Sequence, residues 1–239
     1  MNLSHAFRRA AVTTAFLVAF LDSKAQLVVV NSSIPDNDAN GLVSTLDVNT
    51  AATPIQSVTV TLNISSAAAN TAWNGDLYAY LTHDDGSSSG FAVLLNRVGR
   101  TTSDAAGYGD FGFAITLSDT AANDVHLYQN VSSSFDGSGR LTGAWQPDER
   151  NISPTSSGST FDSASRTANL GSFSGLNPNG LWVLFLSDRA AGNEAKLDSW
   201  ALNITPVPEP AESAALMALC LLASVIARRC LRVKSYSQR

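Results

Sequence analysis

The sequence predicts an all-β chain: an antiparallel, jelly-roll-like β-sandwich flanked by an N-terminal signal helix and a single C-terminal transmembrane helix. Three observations carry this. Apolar and polar residues alternate with period two through much of the stretch from Gln26 to Thr205, the mark of strands with one buried face. The alternating runs are separated by clusters of Gly, Asp, Asn, Ser and Pro, with no helical crossover between them. Each end of the chain carries an apolar run beside arginines.

Taken in order, Arg8 and Arg9 form a positive n-region, Ala10 to Leu21 an apolar h-region, and Ser23-Lys24-Ala25 a small-x-small cleavage site before Gln26. Residues 1–25 therefore read as a signal peptide; its apolar run is short for a permanent span, which favours removal over a retained anchor. Strands are expected at QLVVVN (26–31), LVSTLDV (42–48), Val58 to Ile64, Leu77 to Leu81, FAVLLN (91–96), FAITL (113–117), VHLY (125–128), LTGAW (141–145), Trp182 to Leu186 and Trp200 to Ile204. Placing VHLY in a strand puts His126 on the surface. Turns are expected at PDNDANG (35–41), HDDGSSSG (83–90), DAAGYGD (104–110), DGSG (136–139), SPTSSGST (153–160) and NPNG (177–180). Trp182 and Trp200 sit at inward positions of their strands and read as core anchors. Trp145 and Tyr108, beside glycine-rich turns, read as ordinary core or rim, with stacking on a sugar the competing role.

An apolar share of 44% suffices for a core in a chain of 239 residues, and a charged share of only 15% suits an exported all-β domain better than a cytosolic enzyme. Between Gln26 and Pro210 there are seven Arg and Lys against 18 Asp and Glu. So acidic a section repels a phosphate backbone, which argues against nucleic-acid binding, and it tolerates divalent cations. Both cysteines, Cys220 and Cys230, lie in the tail, so the exported part has neither thiol nor disulfide.

Nothing in the chain frames a catalytic centre. Only His83 and His126 are available after the signal, no G-x-S-x-G elbow surrounds a serine, and no H-E-x-x-H occurs. The expectation is a protein without enzymatic activity. Oxygen-rich turns are better candidates for chemistry: Asp36, Asn37 and Asp38 cluster in one, and Asp188, Asn193 and Glu194 in another. Calcium takes roughly six to eight oxygen ligands. The competing reading is turn chemistry, since Asp and Asn side chains cap backbone N–H groups.

The stretch GLWVLFLSDRAAGNEAKLDSWALNI, Gly180 to Ile204, resembles the closing strands of the P domain (P/Homo B domain) that follows the catalytic domain of proprotein convertases and many bacterial subtilisin-like proteases. Gly180, Trp182, Leu184, Asp188, Gly192, Leu197, Trp200 and Leu202 fall on the family pattern. SIPDND (33–38) resembles its entry motif and WNGDLYAYLTHDDG (73–86) its central G-D-L segment. The family's G-D-x-G reads Gly192-Asn193-Glu194-Ala195 here, and His83-Asp84-Asp85 replaces a Ser-Pro pair. The resemblance implies a non-catalytic module over residues 26–205 that stabilises or directs a serine protease, here expected to stand alone. It also implies calcium at Asp36, Asp38 and Asp188.

The tail carries a second resemblance. Val207-Pro208-Glu209-Pro210, then an apolar run over 211–227 and a basic end with Arg228, Arg229, Arg232 and Lys234, is similar to the PEP-CTERM sorting signal of Gram-negative bacteria that make extracellular polysaccharide. That similarity implies processing by exosortase, a membrane transpeptidase-like enzyme. Residues 206–239 would thus be a sorting signal, and the product a protein of the cell surface or extracellular matrix that touches matrix polysaccharide, an envelope protein or a serine protease. The physical chemistry agrees. Pro206, Pro208 and Pro210 hold the segment extended and accessible. About 17 apolar residues make roughly 26 Å of helix, enough to cross a bilayer at the short end of the range. The four cations hold the carboxyl end in the cytoplasm, and a permanent anchor is the competing reading.

Overall fold

The computed structural model describes residues 24–50 and 54–208, together with the helical positions 217, 221, 223 and 224. Of the signal peptide expected over 1–25, residues 1–23 lie outside the described residues, whereas Lys24 and Ala25 begin the first strand opposite Ile204 and Asn203. Glu209 and Pro210 of the sorting motif, the four terminal cations and most positions of the expected transmembrane helix also lie outside the described residues. Among the described residues no helix is long and apolar enough to cross a membrane.

Two β-sheets share one core. The first has six strands: β1 (Lys24–Ser33), β10 (Ala195–Pro206), β3 (Ile55–Ser66), β6 (Phe113–Leu117), β8 (Leu141–Trp145) and β7 (Ser134–Phe135), in that spatial order. The second has four, in the order β2 (Leu42–Val48), β9 (Gly180–Asp188), β4 (Leu77–Asp84) and β5 (Ser89–Asn96). The all-β expectation holds, but β6 and β8 run parallel, so the larger sheet is mixed rather than antiparallel throughout. The chain leaves β6, crosses through 118–133, makes β7 at the sheet's edge and turns back as β8 between β7 and β6.

Alternation becomes packing here. In β3 the inward Val58, Val60, Leu62 and Ile64 are buried while the intervening Thr59, Thr61 and Asn63 keep some contact with water. In β9 Trp182, Leu184 and Leu186 point inward, and in β10 Leu197, Trp200 and Leu202 do so from the other sheet. Fully burying such side chains contributes about 1.5–3 kcal/mol each relative to exposure. Each indole N–H finds an acceptor: Trp182 donates to the Pro178 carbonyl at 2.9 Å, and Trp200 donates across the sandwich to the Ser44 hydroxyl at 2.9 Å. Trp145 is also core, its N–H donating to the Thr142 carbonyl, and half-buried Tyr108 meets Tyr128 edge to face.

Two segments depart from expectation. Val125–Asn130 is a 3-10 helix, because the Asp124 carboxylate accepts from the His126 N–H at 2.8 Å and turns the chain at the first residue. The SPTSSGST segment ends in a short α-helix, α1 (Gly158–Ser163), capped by Ser157, whose side chain accepts from the Thr160 N–H. The hairpin at Asp84-Asp85-Gly86 is as expected: the Asp85 carboxylate accepts from the N–H groups of Ser87 and Ser88, and Gly86 takes a positive φ of 85°.

Candidate functional site

The register of β4 against β9 places Leu77 opposite Asp188, so Asp76 and Asp188 arrive at the same end of the smaller sheet. The loop after β1 joins them, because the Ile34 N–H bonds the Ala195 carbonyl at 2.9 Å and the Asp36 carboxylate accepts from the Gly192 N–H at 2.9 and 3.1 Å. Asp36 is exposed, whereas Asp76 and Asp188 are buried. The Asp188 Oδ1 accepts from the Ala190 N–H at 3.0 Å, while its Oδ2 is buried without a hydrogen-bond partner.

One cation serves this group. Arg97, at a positive φ of 50° just after β5, donates to the carbonyls of Gly75 and Arg189 and places a guanidinium nitrogen 3.5 Å from Asp76. It does not compensate fully. Burial raises Asp76 to about 6 despite Arg97, with Asp36 adding to the rise. Burial raises Asp188 to about 7, against the Ala190 N–H, and Asp76 and Asp36 push it further up.

Of the three metal candidates, Asp36 and Asp188 are brought together with Asp76, which the sequence did not single out. Asp38 turns into its own loop, where it accepts from the Asn40 N–H at 2.9 Å. Among the described residues no three His, Cys, Asp or Glu side chains are gathered as metal ligands, so a divalent ion here would complete its shell with backbone oxygens and water.

A second buried polar group holds the long excursion between β6 and β9. The His126 Nδ1 lies 2.6 Å from an Asp148 oxygen and its Nε2 3.1 Å from the Arg100 carbonyl. Arg150 pairs with Asp124 at 2.9 Å and with Asp148 at 3.3 Å, and Arg166 pairs with Glu149 at 3.2 Å and with Asp124 at 3.5 Å. Burial would lower the Arg150 pKa, but Asp148 and Asp124 outweigh it and raise it instead. His126 is buried here, not at the surface: Asp148 and the Arg100 carbonyl occupy both ring nitrogens, and the ring stacks on Phe161 at 5.6 Å. His83 is likewise enclosed, its ring nitrogens facing the carbonyls of Leu181 at 3.1 Å and Asn177 at 2.8 Å, and its ring stacked on Trp182 at 4.2 Å. In this arrangement neither imidazole has a nitrogen directed at a serine.

The outer face of the smaller sheet carries a feature that alternation alone hinted at. Tyr78, Tyr80, Phe91 and Phe185 form one cluster, with Tyr80 and Phe185 stacked at 4.8 Å.

No family model matches the chain, and no curated protein matches it. Among solved structures it is similar to a serine protease of Aeromonas sobria, at 14% identity over 77% of this chain and 26% of that one, with a TM-score of 0.39. It is similar at the same identity and TM-score to that protease in complex with its chaperone, over 78% of this chain and 27% of that one. The chain thus spans about a quarter of the length of the structures it matches.

Proposed function

We propose that the chain is an exported, exosortase-processed protein of the cell surface or extracellular matrix, whose sandwich binds or builds and performs no chemistry. The observation that carries this reading is where the fold stops. β10 ends at Pro206, the Val207 N–H makes a bond to the Pro54 carbonyl at 2.8 Å, and the Val207 side chain is already 42% exposed, as Pro208 is exposed after it. The sorting motif therefore begins where the last strand ends, and its first two residues face water, as an enzyme that must grip an extended peptide requires. Mass spectrometry of the mature protein's two ends tests it. The expected result is a chain that starts near Gln26 and lacks the residues following Pro210; recovery of an intact basic end from matured cells overturns it.

A protease-directed role in trans is the second reading, favoured by the P-domain pattern along Gly180 to Ile204. Those residues form β9 and β10, which lie in different sheets and face each other across the core. A pull-down with the full chain that returns a subtilisin-like protease supports this reading, and one that returns envelope proteins without a protease removes it.

Calcium fits the Asp188 corner in one respect, because the orphaned Asp188 Oδ2 and two neighbouring carboxylates offer charge that Arg97 leaves uncompensated. Asp188 would hold the ion through its free oxygen, with backbone oxygens and water completing the shell and the nearby Asp76 and Asp36 adding negative charge; the ion would neutralise the cluster and brace the smaller sheet's end. Excess calcium is then expected to raise the melting temperature of the full chain at pH 7.5, through its preference for the folded state. An unchanged melting temperature removes calcium from the account.

A further inference from the structure

Where β3 ends and β6 and β8 begin, the larger sheet carries a groove of about 430 Å³, a size suited to small organic ligands. Its wall includes Ser65 and Ser66 at the end of β3, Asn70 in the following loop, Phe111, Ser138 and Arg140. The register explains the hollow. Lys196 stands opposite Ser65 on one side, and on the other the chain passes Gly112, which contributes no side chain and whose φ of 116° and approach to the Ile64 carbonyl exclude one. Gly139 sits behind the Phe111 ring: a Cβ there would meet the ring at 2.8 Å, so only glycine lets the ring settle against the backbone.

Two properties of this groove select a ligand. The first is charge balance. Arg140 pairs with Asp136 at 2.8 Å and lies 3.8 Å from Asp198, which also binds Lys196 at 2.8 Å. Two cations thus meet two anions, and the groove is neutral in an acidic domain. The second is polar capacity. The hydroxyls of Ser65 and Ser138 and the side-chain amide of Asn70 make no hydrogen bond within the described residues, and the Ser66 hydroxyl accepts from the Ala72 N–H but keeps its proton to donate. Alternating donors and acceptors beside one half-buried aromatic ring match a pyranose, whose hydroxyls both give and accept and whose C–H face packs on a ring. An anionic sugar or a phosphate would face the Asp136 and Asp198 carboxylates without a surplus of positive charge.

We infer that the groove bounded by Ser65, Asn70, Phe111, Ser138 and Arg140 binds a neutral saccharide unit of an extracellular polysaccharide. The inference rests on the matrix location proposed above and names its ligand class. Its test is affinity electrophoresis of the full chain in native gels cast with dextran, galactomannan or polygalacturonate. Retardation by at least one neutral polymer and not by polygalacturonate is expected. It should weaken at least tenfold in Phe111→Ala and in Arg140→Gln. Because both could perturb folding, Ser138→Phe, an exposed change that fills the groove, supplies the control: it should abolish retardation without lowering the melting temperature. Retardation that survives Ser138→Phe, equal retardation by polygalacturonate, or none in any gel overturns the inference. These outcomes leave the sorting reading standing, since that is decided separately by the mass of the mature chain ends.

Discussion

Around Asp148 three carboxylates, Asp124, Asp148 and Glu149, interleave with Arg150, Arg166 and His126, whereas around Asp188 three carboxylates, Asp36, Asp76 and Asp188, have Arg97 for company. Both groups bury charge, yet only the first distributes partners around it. Its bonds tie the 3-10 helix at Val125–Asn130 to the segment 146–150 and to Arg166, giving order to a stretch with few strands. Even there, burial raises Glu149 above its ordinary value although Arg166 pulls it down. Each group keeps a buried atom without a hydrogen-bond partner, Arg150 Nε in the first and Asp188 Oδ2 in the second, but in the second that atom belongs to an acid and two carboxyls are held far above the usual range. Interior carboxylates can thus serve as struts when paired, and store an unmet demand for positive charge when they are not.

Removing Arg150 should produce the largest effect. Arg150→Met leaves Asp148 and Asp124 short of a buried partner and is expected to cost about 3–5 kcal/mol in urea denaturation. A loss below about 1 kcal/mol would mean that the network is no strut. Arg97→Met should cost about 2 kcal/mol at pH 8, and less at pH 5, where the neighbouring carboxyls are protonated and need the guanidinium less. Equal losses at the two pH values would contradict the asymmetry between the clusters.

Asp188→Asn should act in the opposite direction. A carboxyl whose folded pKa is raised from 3.8 to about 7 binds more protons in the native state than in the unfolded one across that interval. Stability contributed by this corner is therefore greatest below the unfolded value, declines as pH rises through the interval and levels off above it. The variant is expected to be more stable than the parent by about 1–3 kcal/mol at pH 8, with the gain vanishing near pH 4. A thermal-melting series over pH decides this, and a variant destabilised at pH 8 would reverse the sign. The smallest effect belongs to Lys196→Met, which removes a partly exposed pair with Asp198 at 2.8 Å. It should cost under about 1 kcal/mol and be insensitive to salt once made, whereas the parent weakens slightly in high salt.

The strands were the legible part. LVSTLDV, FAITL and LTGAW begin and end as alternation indicates, since the same side chains that set the period also form the core. VHLY alternates too, yet one carboxylate from the preceding residue diverts it into a helical turn, a local bond that period counting does not weigh. Asp188 was marked by its place in a turn-rich segment, but its neighbour Asp76 comes from across a sheet, through a register that no spacing along the chain encodes. Asp38 shares a pentapeptide with Asp36, yet it bonds locally, its Oδ1 accepting from the backbone and side-chain N–H groups of Asn40. The parallel placement of β8 beside β6 depends on a long return path with little periodic signal. The groove at Arg140 gathers residues from the end of β3, the loop after it and the two approaches to β6 and β8, a convergence that no spacing along the chain encodes.

The first strand of the sandwich zips onto the last, with Lys24 across from Ile204 and Ser33 across from Lys196. A polypeptide emerging amino end first must therefore hold its opening segment, with Val28 and Val30 not yet packed on the core, until the final segment has come through. Such long-range closure is slow, and an unpaired strand is exposed to wrong partners meanwhile. Completion of the domain thereby waits on the delivery of β10, and the residues that follow it lie just beyond the strand that closes the fold.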